Sequence, residues 1–466
     1  MTDAARDTHQ PASAPPRTGD LFGHPRGLWV LAGTELWDRI SFHGMQAMLV
    51  LYMAGELLLP GRVEHVVGFA SFRAAIEALT GPMSVQALAA QTFGLYVGLI
   101  YFTPVFGGLI GDRVTGRRVA IVLGGLLMTG GHFALAFDAS FLLALLLLIL
   151  GAGLLRGNLS AQVKSLYADG DRRKADAFQA YYVAINLGAF VAPIATGALA
   201  AAYGWHTGFG FAGLGMLVGL VVYLIGQRHL PPDRRRAVAA EARAPLTATE
   251  KRKVGGLLAI WPLSMLFWIA QSQVWNVYNL WVRDAVDLNL GGFTMPVPWM
   301  QSLDGLSPVI FTPLVVLHWR RQAARGVEAD LFGKAARGCL IFAGAVALLA
   351  LAPLVQNGAG RAPLWLPVTF HLVSNLGWLF FVPIVLALYA AEAPASLRGT
   401  LIGVNTLSVF AGSVVSGRLG ALYETLPAPE FWLLHAAMVG VAGLGFLAVA
   451  RPLRRVFTGT PDGAVR

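Results

Sequence analysis

Glu35-Leu36-Trp37-Asp38-Arg39 places three ionisable side chains inside an apolar run that extends from about Leu28 to Met53. At roughly 3.6 residues per turn, Glu35, Asp38, Arg39 and Phe42 fall on one face of a helix. An ionised group near the centre of a bilayer costs about 2.5–3.5 kcal/mol on insertion scales. Three such groups in two turns are tolerated only if they face one another or a water-filled cavity. A structural ion pair that locks this helix to its neighbours would satisfy that condition. A substrate or proton pathway satisfies it too, and also gives every one of the three a use. The elements that position these residues must therefore be membrane helices.

The composition agrees. Of 466 residues, 56% are hydrophobic and 13% charged, with a mean hydropathy of +0.61. Soluble domains carry about 25% charged residues, so the fold class is an all-α integral membrane protein. The net charge of +10 does not indicate nucleic acid, because the basic residues sit in short gaps between apolar runs. Membrane lipid and insertion topology account for them there. The single cysteine, Cys339, excludes an internal disulfide. No Walker-type loop, metal-spaced His/Cys cluster or cytosolic catalytic domain is visible, so neither an enzyme nor a bound cofactor is expected.

Windows of about 20 apolar residues give twelve spans, at about 28–55, 88–111, 117–137, 140–166, 175–202, 207–228, 254–282, 295–319, 336–355, 363–391, 398–422 and 430–451. Val66–Leu79 reads as a short surface helix in the long gap after the first span. Residues 1–27 and 456–466 read as tails, the first disordered. The polar stretch 229–253, with Arg234-Arg235-Arg236 and Lys251-Arg252-Lys253, splits the chain into bundles at 28–228 and 254–455. Of the 35 Lys and Arg, 28 lie in the tails, the linker and alternate gaps, against four in the opposite gaps. The positive-inside rule then puts both termini and the linker in the cytoplasm, at the cell (inner) membrane.

Two six-helix halves joined by a basic linker resemble the major facilitator superfamily. Gly107-Gly108-Leu109-Ile110-Gly111-Asp112-Arg113-Val114-Thr115-Gly116-Arg117-Arg118 resembles that superfamily's cytoplasmic loop, Gly-x-x-x-Asp followed by Gly-Arg-Arg. The resemblance implies that Asp112, Arg113, Gly116 and Arg117 govern rocking of the halves without touching substrate. Three further stretches resemble the proton-coupled oligopeptide transporter family. Glu35-Leu36-Trp37-Asp38-Arg39-Ile40-Ser41-Phe42-His43-Gly44 is similar to Glu-x-x-Glu-Arg-Phe-x-Tyr-Tyr-Gly, with Asp38 for the second Glu and Phe42-His43 for the tyrosines. Gly151-Ala152-Gly153-Leu154-Leu155-Arg156-Gly157-Asn158 resembles Gly-x-Gly-x-x-Lys-x-Asn. Phe178-Gln179-Ala180-Tyr181-Tyr182-Val183-Ala184-Ile185-Asn186-Leu187-Gly188 resembles Phe-Ser-x-Phe-Tyr-x-x-Ile-Asn-x-Gly.

The resemblance implies a secondary active transporter: symport of protons with di- and tripeptides or peptide-like compounds by alternating access. Glu35 and Asp38 become candidate proton sites, because a carboxylate beside an arginine can exchange its salt bridge for a proton. Arg39 is their partner and an attractor for a substrate carboxylate. Phe42, His43, Arg156, Asn158, Tyr181 and Asn186 become candidate substrate contacts. Arg156 stands where the family has lysine; it stays charged, so it keeps an anion clamp but cannot give up a proton.

The C-terminal half departs further. Phe267-Trp268-Ile269-Ala270-Gln271-Ser272-Gln273 is similar to Phe-Trp-x-x-x-Glu-Gln, with Ser272 in place of the acid. Gln301-Ser302-Leu303-Asp304 is similar to Gln-Ser-x-Asn. Trp378 replaces the glutamate of the tenth-helix pattern that holds a peptide's amino end. Tyr278, Asn279 and Trp378 are the candidate contacts on this side. With two acids missing, uptake of a non-peptide anionic or modified solute is the alternative. A drug/proton antiporter, or a non-transporting sensor or scaffold on the same fold, ranks lower, since a scaffold has no need of charges at depth. His132 and His371 read as core groups.

Overall fold

The computed structural model describes residues 20–168, 170–233 and 245–458. Parts of the expected tails and linker, including Arg234-Arg235-Arg236, lie outside the described residues. The first half contains α1 (Arg26–Tyr52), the short α2 (Phe69–Thr80), α3 (Val85–Ile110), α4 (Arg117–Ala134), α5 (Phe141–Ser165), α6 (Arg173–Tyr203) and α7 (Trp205–Gly226). The second contains α8 (Ala248–Gln273), its continuation α9 (Val277–Ala285), α10 (Ser302–Ala324), α11 (Leu331–Leu349), α12 (Trp365–Glu392), α13 (Arg398–Gly420) and α14 (Ala428–Thr458). Ten of these segments are long and apolar enough to cross a membrane. The other two expected spans, α1 and α4, are diluted by Glu35, Asp38 and Arg39 and by Arg117-Arg118. Both are packed into the first bundle, α1 against α6 and α7, and α4 against α5 and α7.

Local chemistry sets the helix ends. Ser84 caps α3 by accepting from the Ala87 amide, and Thr247 and Glu250 form a reciprocal capping box at α8. The eighth span runs from Val297, close to the expected 295, and opens with a 3-10 turn, Val297–Gln301, that leads into α10 at Ser302. Ahead of it lies a hairpin, β1 (Asn289–Leu290) with β2 (Phe293–Thr294), turned by Gly291 and Gly292, both at positive φ. Pro296 and Pro298 then delay the helix. Within the expected N-terminal tail, residues from Asp20 onward pack against the rest of the chain. Asp20 pairs with Arg173 at 2.9 Å, and His24 Nδ1 lies 2.9 Å from the Tyr167 hydroxyl. Partners so distant in sequence leave no mark on local composition. The last helix likewise runs on to Thr458, past the apolar window that ended at 451.

Within each half, small residues let helices touch backbone to backbone. Gly107 of α3 lies against Gly153 of α5, where a β-carbon would come 2.0 Å from the Gly153 carbonyl oxygen. Gly338 of α11 meets Gly377 and Phe381 of α12 in the same way. Between the halves, Gly94 and Gly98 of α3 back onto Ser413, Gly417 and Phe410 of α13, while Gly305 of α10 sits on Asn186, Ala189 and Phe190 of α6. Asn276 donates to the Ala90 carbonyl at 3.0 Å, and Trp299 to the Ile194 carbonyl at 3.1 Å. These contacts lie toward the end of the molecule away from the start of α1 and the end of α14. The halves are joined there. Outward-facing Leu143, Leu146, Leu150, Val221, Leu224 and Leu444 are exposed, as suits a surface in contact with lipid.

Gly107→Ala forces α3 from α5 and should destabilise the protein by about 1–3 kcal/mol, the usual cost of overpacking. Gly130→Ala, in the same half with open space around the position, should be neutral. Thermal unfolding of the two variants in detergent makes the comparison.

Candidate functional site

The charged stretch of α1 is buried against α5 and α6. Glu35 is 2% exposed and Asp38 0%. Gly188 permits the approach: a β-carbon there would stand 2.6 Å from the Arg39 β-carbon and 2.8 Å from the Leu36 carbonyl oxygen. Arg39 Nε donates to Glu35 Oε1 at 2.7 Å, and its terminal nitrogen lies 2.6 Å from the same oxygen and 3.3 Å from Asp38 Oδ2. Arg156 reaches Asp38 from α5 through two hydrogen bonds, of 3.2 and 3.4 Å. Its guanidinium also covers the Phe42 ring at 4.0 Å. Tyr181 donates its hydroxyl hydrogen to Glu35 Oε2 at 2.5 Å. Two carboxylates and two guanidiniums thus cancel, and both carboxylates are bridged to arginine.

Arg39 is the member that also faces open space. A cavity of about 230 Å³ lies between the halves. Arg39, His43, Gln46, Tyr182 and Asn186 line one wall, and Trp268, Gln271, Ser272, Asp304, Asn375 and Trp378 the other. Trp275 stacks near His43, with ring centroids 5.2 Å apart. His43 Nδ1 is buried without a hydrogen-bond partner. Among the described residues, Asp304 is the one acidic group in the lining. His371 Nδ1 and Asn375 Nδ2 each lie 2.8 Å from its Oδ1.

Of the residues singled out in the sequence, Arg39, His43, Asn186 and Trp378 therefore line the cavity. Glu35, Asp38, Phe42, Arg156 and Tyr181 form the layer behind Arg39. Three others belong to neither. Asn158 donates to the Gly107 and Leu154 carbonyls and clamps α5 to α3. Asn279, fully buried, donates to the Trp275 carbonyl and accepts from Gln301 at 2.7 Å. Tyr278 is stacked on Phe370 at 4.9 Å in the core of the second bundle. His132 is buried with neither ring nitrogen hydrogen-bonded. The loop residues lie elsewhere: Arg117 pairs with Asp112 at 2.7 Å, Gly116 turns the chain at a φ of +84°, and Arg113 is exposed.

Gln46, Tyr182 and Asn375 were not singled out as contacts. The signal was available in part. Gln46 follows Arg39 and His43 at helical spacing, and Asn375 lies between His371 and Trp378 on one face.

Twelve helices in two bundles around a cavity lined by aromatic and polar side chains, with compensated charges at its edge, define a membrane transporter of the major facilitator type. The chain belongs to the POT family, whose sequence profile matches residues 118–240 and 238–433. It is 27% identical to the transporter YclF of Bacillus subtilis, over 98% of this chain and 99% of that one. It is 26% identical to the peptide transporter YePEPT of Yersinia enterocolitica, over 94% and 96%. A crystal structure of a peptide transporter POT variant in complex with alafosfalin superimposes with a TM-score of 0.81, at 28% identity, over 95% and 98% of the two chains.

Asp38→Asn leaves Arg156 without its carboxylate and should cost about 3–5 kcal/mol, as breaking one side of a buried ion pair does. Adding Arg156→Gln should restore much of the loss, because the stranded charge is removed. A double-mutant cycle by thermal unfolding reads the coupling; additive losses would mean that the pair is energetically uncoupled.

Proposed function

We propose that this chain is a proton-coupled symporter for di- and tripeptides or peptide-like compounds, working by alternating access in the inner membrane with both termini cytoplasmic. The observation that carries the reading is Arg39, held by Glu35 and Asp38 on one side and open to the cavity on the other. A proton on Glu35 weakens the pair and frees the Arg39 guanidinium, which then binds the substrate's carboxylate through charge-assisted hydrogen bonds. Asp38 keeps Arg156 in place, and Arg156 with Phe42 and Tyr181 supports the clamp from behind. Asn186 and His43 offer hydrogen bonds beside it. Across the cavity, Gln271, Ser272 and Asn375 hydrogen-bond the rest of the backbone, while Trp268 and Trp378 present ring faces to side chains.

Relatives named as peptide transporters, and a neighbour that holds alafosfalin, support peptide-like substrates over the non-peptide anion alternative. The bundles 28–228 and 254–455 are the rocking bodies, joined by the linker 229–253 and governed by the Asp112–Arg117 turn. With the termini cytoplasmic, the joined end is extracellular, and the state described faces inward.

Purified protein in liposomes with an imposed inward proton gradient should accumulate di- and tripeptides, and Glu35→Gln should abolish that accumulation. If no peptide is accumulated by the unaltered protein, the substrate assignment is wrong.

A further inference from the structure

The N-terminal wall of the cavity holds a fully compensated charge cluster, whereas the C-terminal wall holds one carboxylate backed by a histidine. Asp304, on α10, is partly open to the cavity; His371, on α12, is fully buried behind it. A contact of 2.8 Å between Oδ1 and Nδ1 requires a hydrogen between the two atoms. In the neutral ring that hydrogen sits on Nδ1, and Nε2 keeps its lone pair. Nε2 has no hydrogen-bond partner, so the ring has an unused site for a second proton. The Tyr278 ring packs edge-on at 5.0 Å, and its hydroxyl is likewise buried and without a hydrogen-bond partner.

The surroundings leave the pair as the titratable unit of this wall. Asn375 on α12 donates to the carboxylate. Tyr278 of α9 is the phenol in contact. Arg39 and His43 of α1, Tyr101 of α3 and Tyr182 of α6 line the same cavity from the other half. From α8 and α13 the lining brings Gln271, Ser272 and Ser413, none of which titrates near neutrality. The stretch of α11 from Phe342 to Leu349, which runs along α12, is apolar throughout. Among these groups no lysine or arginine of the second bundle neutralises Asp304.

We propose that Asp304 and His371 together form a second proton-binding site, on the C-terminal wall. A proton taken from cavity water enters at the Asp304 carboxylate, the member of the pair that lines the cavity, and is held between it and the buried ring, so that the pair passes from a net charge of −1 to 0; its return to water restores −1. The wall opposite Arg39 thus carries a switchable charge, and each charge state favours a different arrangement of the two halves. Because Glu35 and Asp38 serve a separate proton on α1, each transport cycle carries two protons. This inference builds on the symport reading above, but proton binding by the pair does not require that the substrate be a peptide.

Two measurements test it. The first uses pure protein in detergent, titrated with a pH-indicator dye between about pH 8 and 5, the range in which histidine changes charge. His371→Gln and His371→Asn should each bind one proton fewer than the unaltered protein. Proton binding that is unchanged in both overturns the proposal, whatever the substrate proves to be. The second sets a membrane potential against a pH gradient in liposomes and finds the balance at which net dialanine flux is zero. The unaltered protein should carry two protons per dialanine and His371→Gln one, while dialanine exchange without a gradient continues close to its normal rate. One proton in the unaltered protein, or exchange lost together with accumulation in both variants, also overturns it. Failure of the unaltered protein to move dialanine at all counts against the peptide reading alone, since the dye titration still decides this one.

Discussion

The buried pairing of Glu35 and Asp38 with Arg39 and Arg156 is the constraint around which the rest of the structure is arranged. Charges at that depth are tolerable only at close range to one another. That condition dictates a helix face with carboxylates three residues apart, a guanidinium from α5 at the right height, and a phenol from α6 to take the remaining oxygen of Glu35. Glycine at position 188 follows from the same need, because any larger residue would hold α1 away from α6.

The cluster also separates two duties. Arg39 is stabilised from behind and is available in front, so it can change partners without being left unpaired in a low dielectric. Asp38 and Arg156 are not in the cavity lining and act as the fixed backing. On the other side of the cavity, aromatic rings and neutral amides dominate, and Asp304 stands alone as the acid. The two walls thus differ in kind, with charge concentrated on the first and neutral hydrogen-bonding groups and rings on the second.

Much of this was legible in the sequence, for a physical reason. A charge in an apolar run stands out strongly, so Glu35, Asp38, Arg39 and Arg156 were found along with the helices that carry them. The twelve spans were legible as well, because hydrophobic length is a local property. What was not legible is depth around a helix in the second bundle. Tyr278 and Asn279 differ little in type from cavity residues, yet the break between α8 and α9 turns both into the core, onto Phe370 and Gln301. Asn158 was a candidate contact through the resemblance of Gly151–Asn158 to the family pattern, but two positions beyond Arg156 is about 200° of rotation along the helix, which aims it at α3. The docking of Asp20 onto Arg173 and the 3-10 opening of the eighth span depend on a distant arginine and on local prolines, which apolar windows do not register.

The five residues from Asn186 to Phe190 touch both halves of the protein. On one side Gly188 bears on Arg39 of α1; on the other Asn186, Ala189 and Phe190 bear on Gly305 of α10. Packing against the charged face of α1 and contact with the second bundle therefore meet in one short stretch. A methyl group added at Gly188 would press on α1, and one at Gly305 on α6, so the spacing of the charged face and the spacing between the two halves are set by the same few atoms.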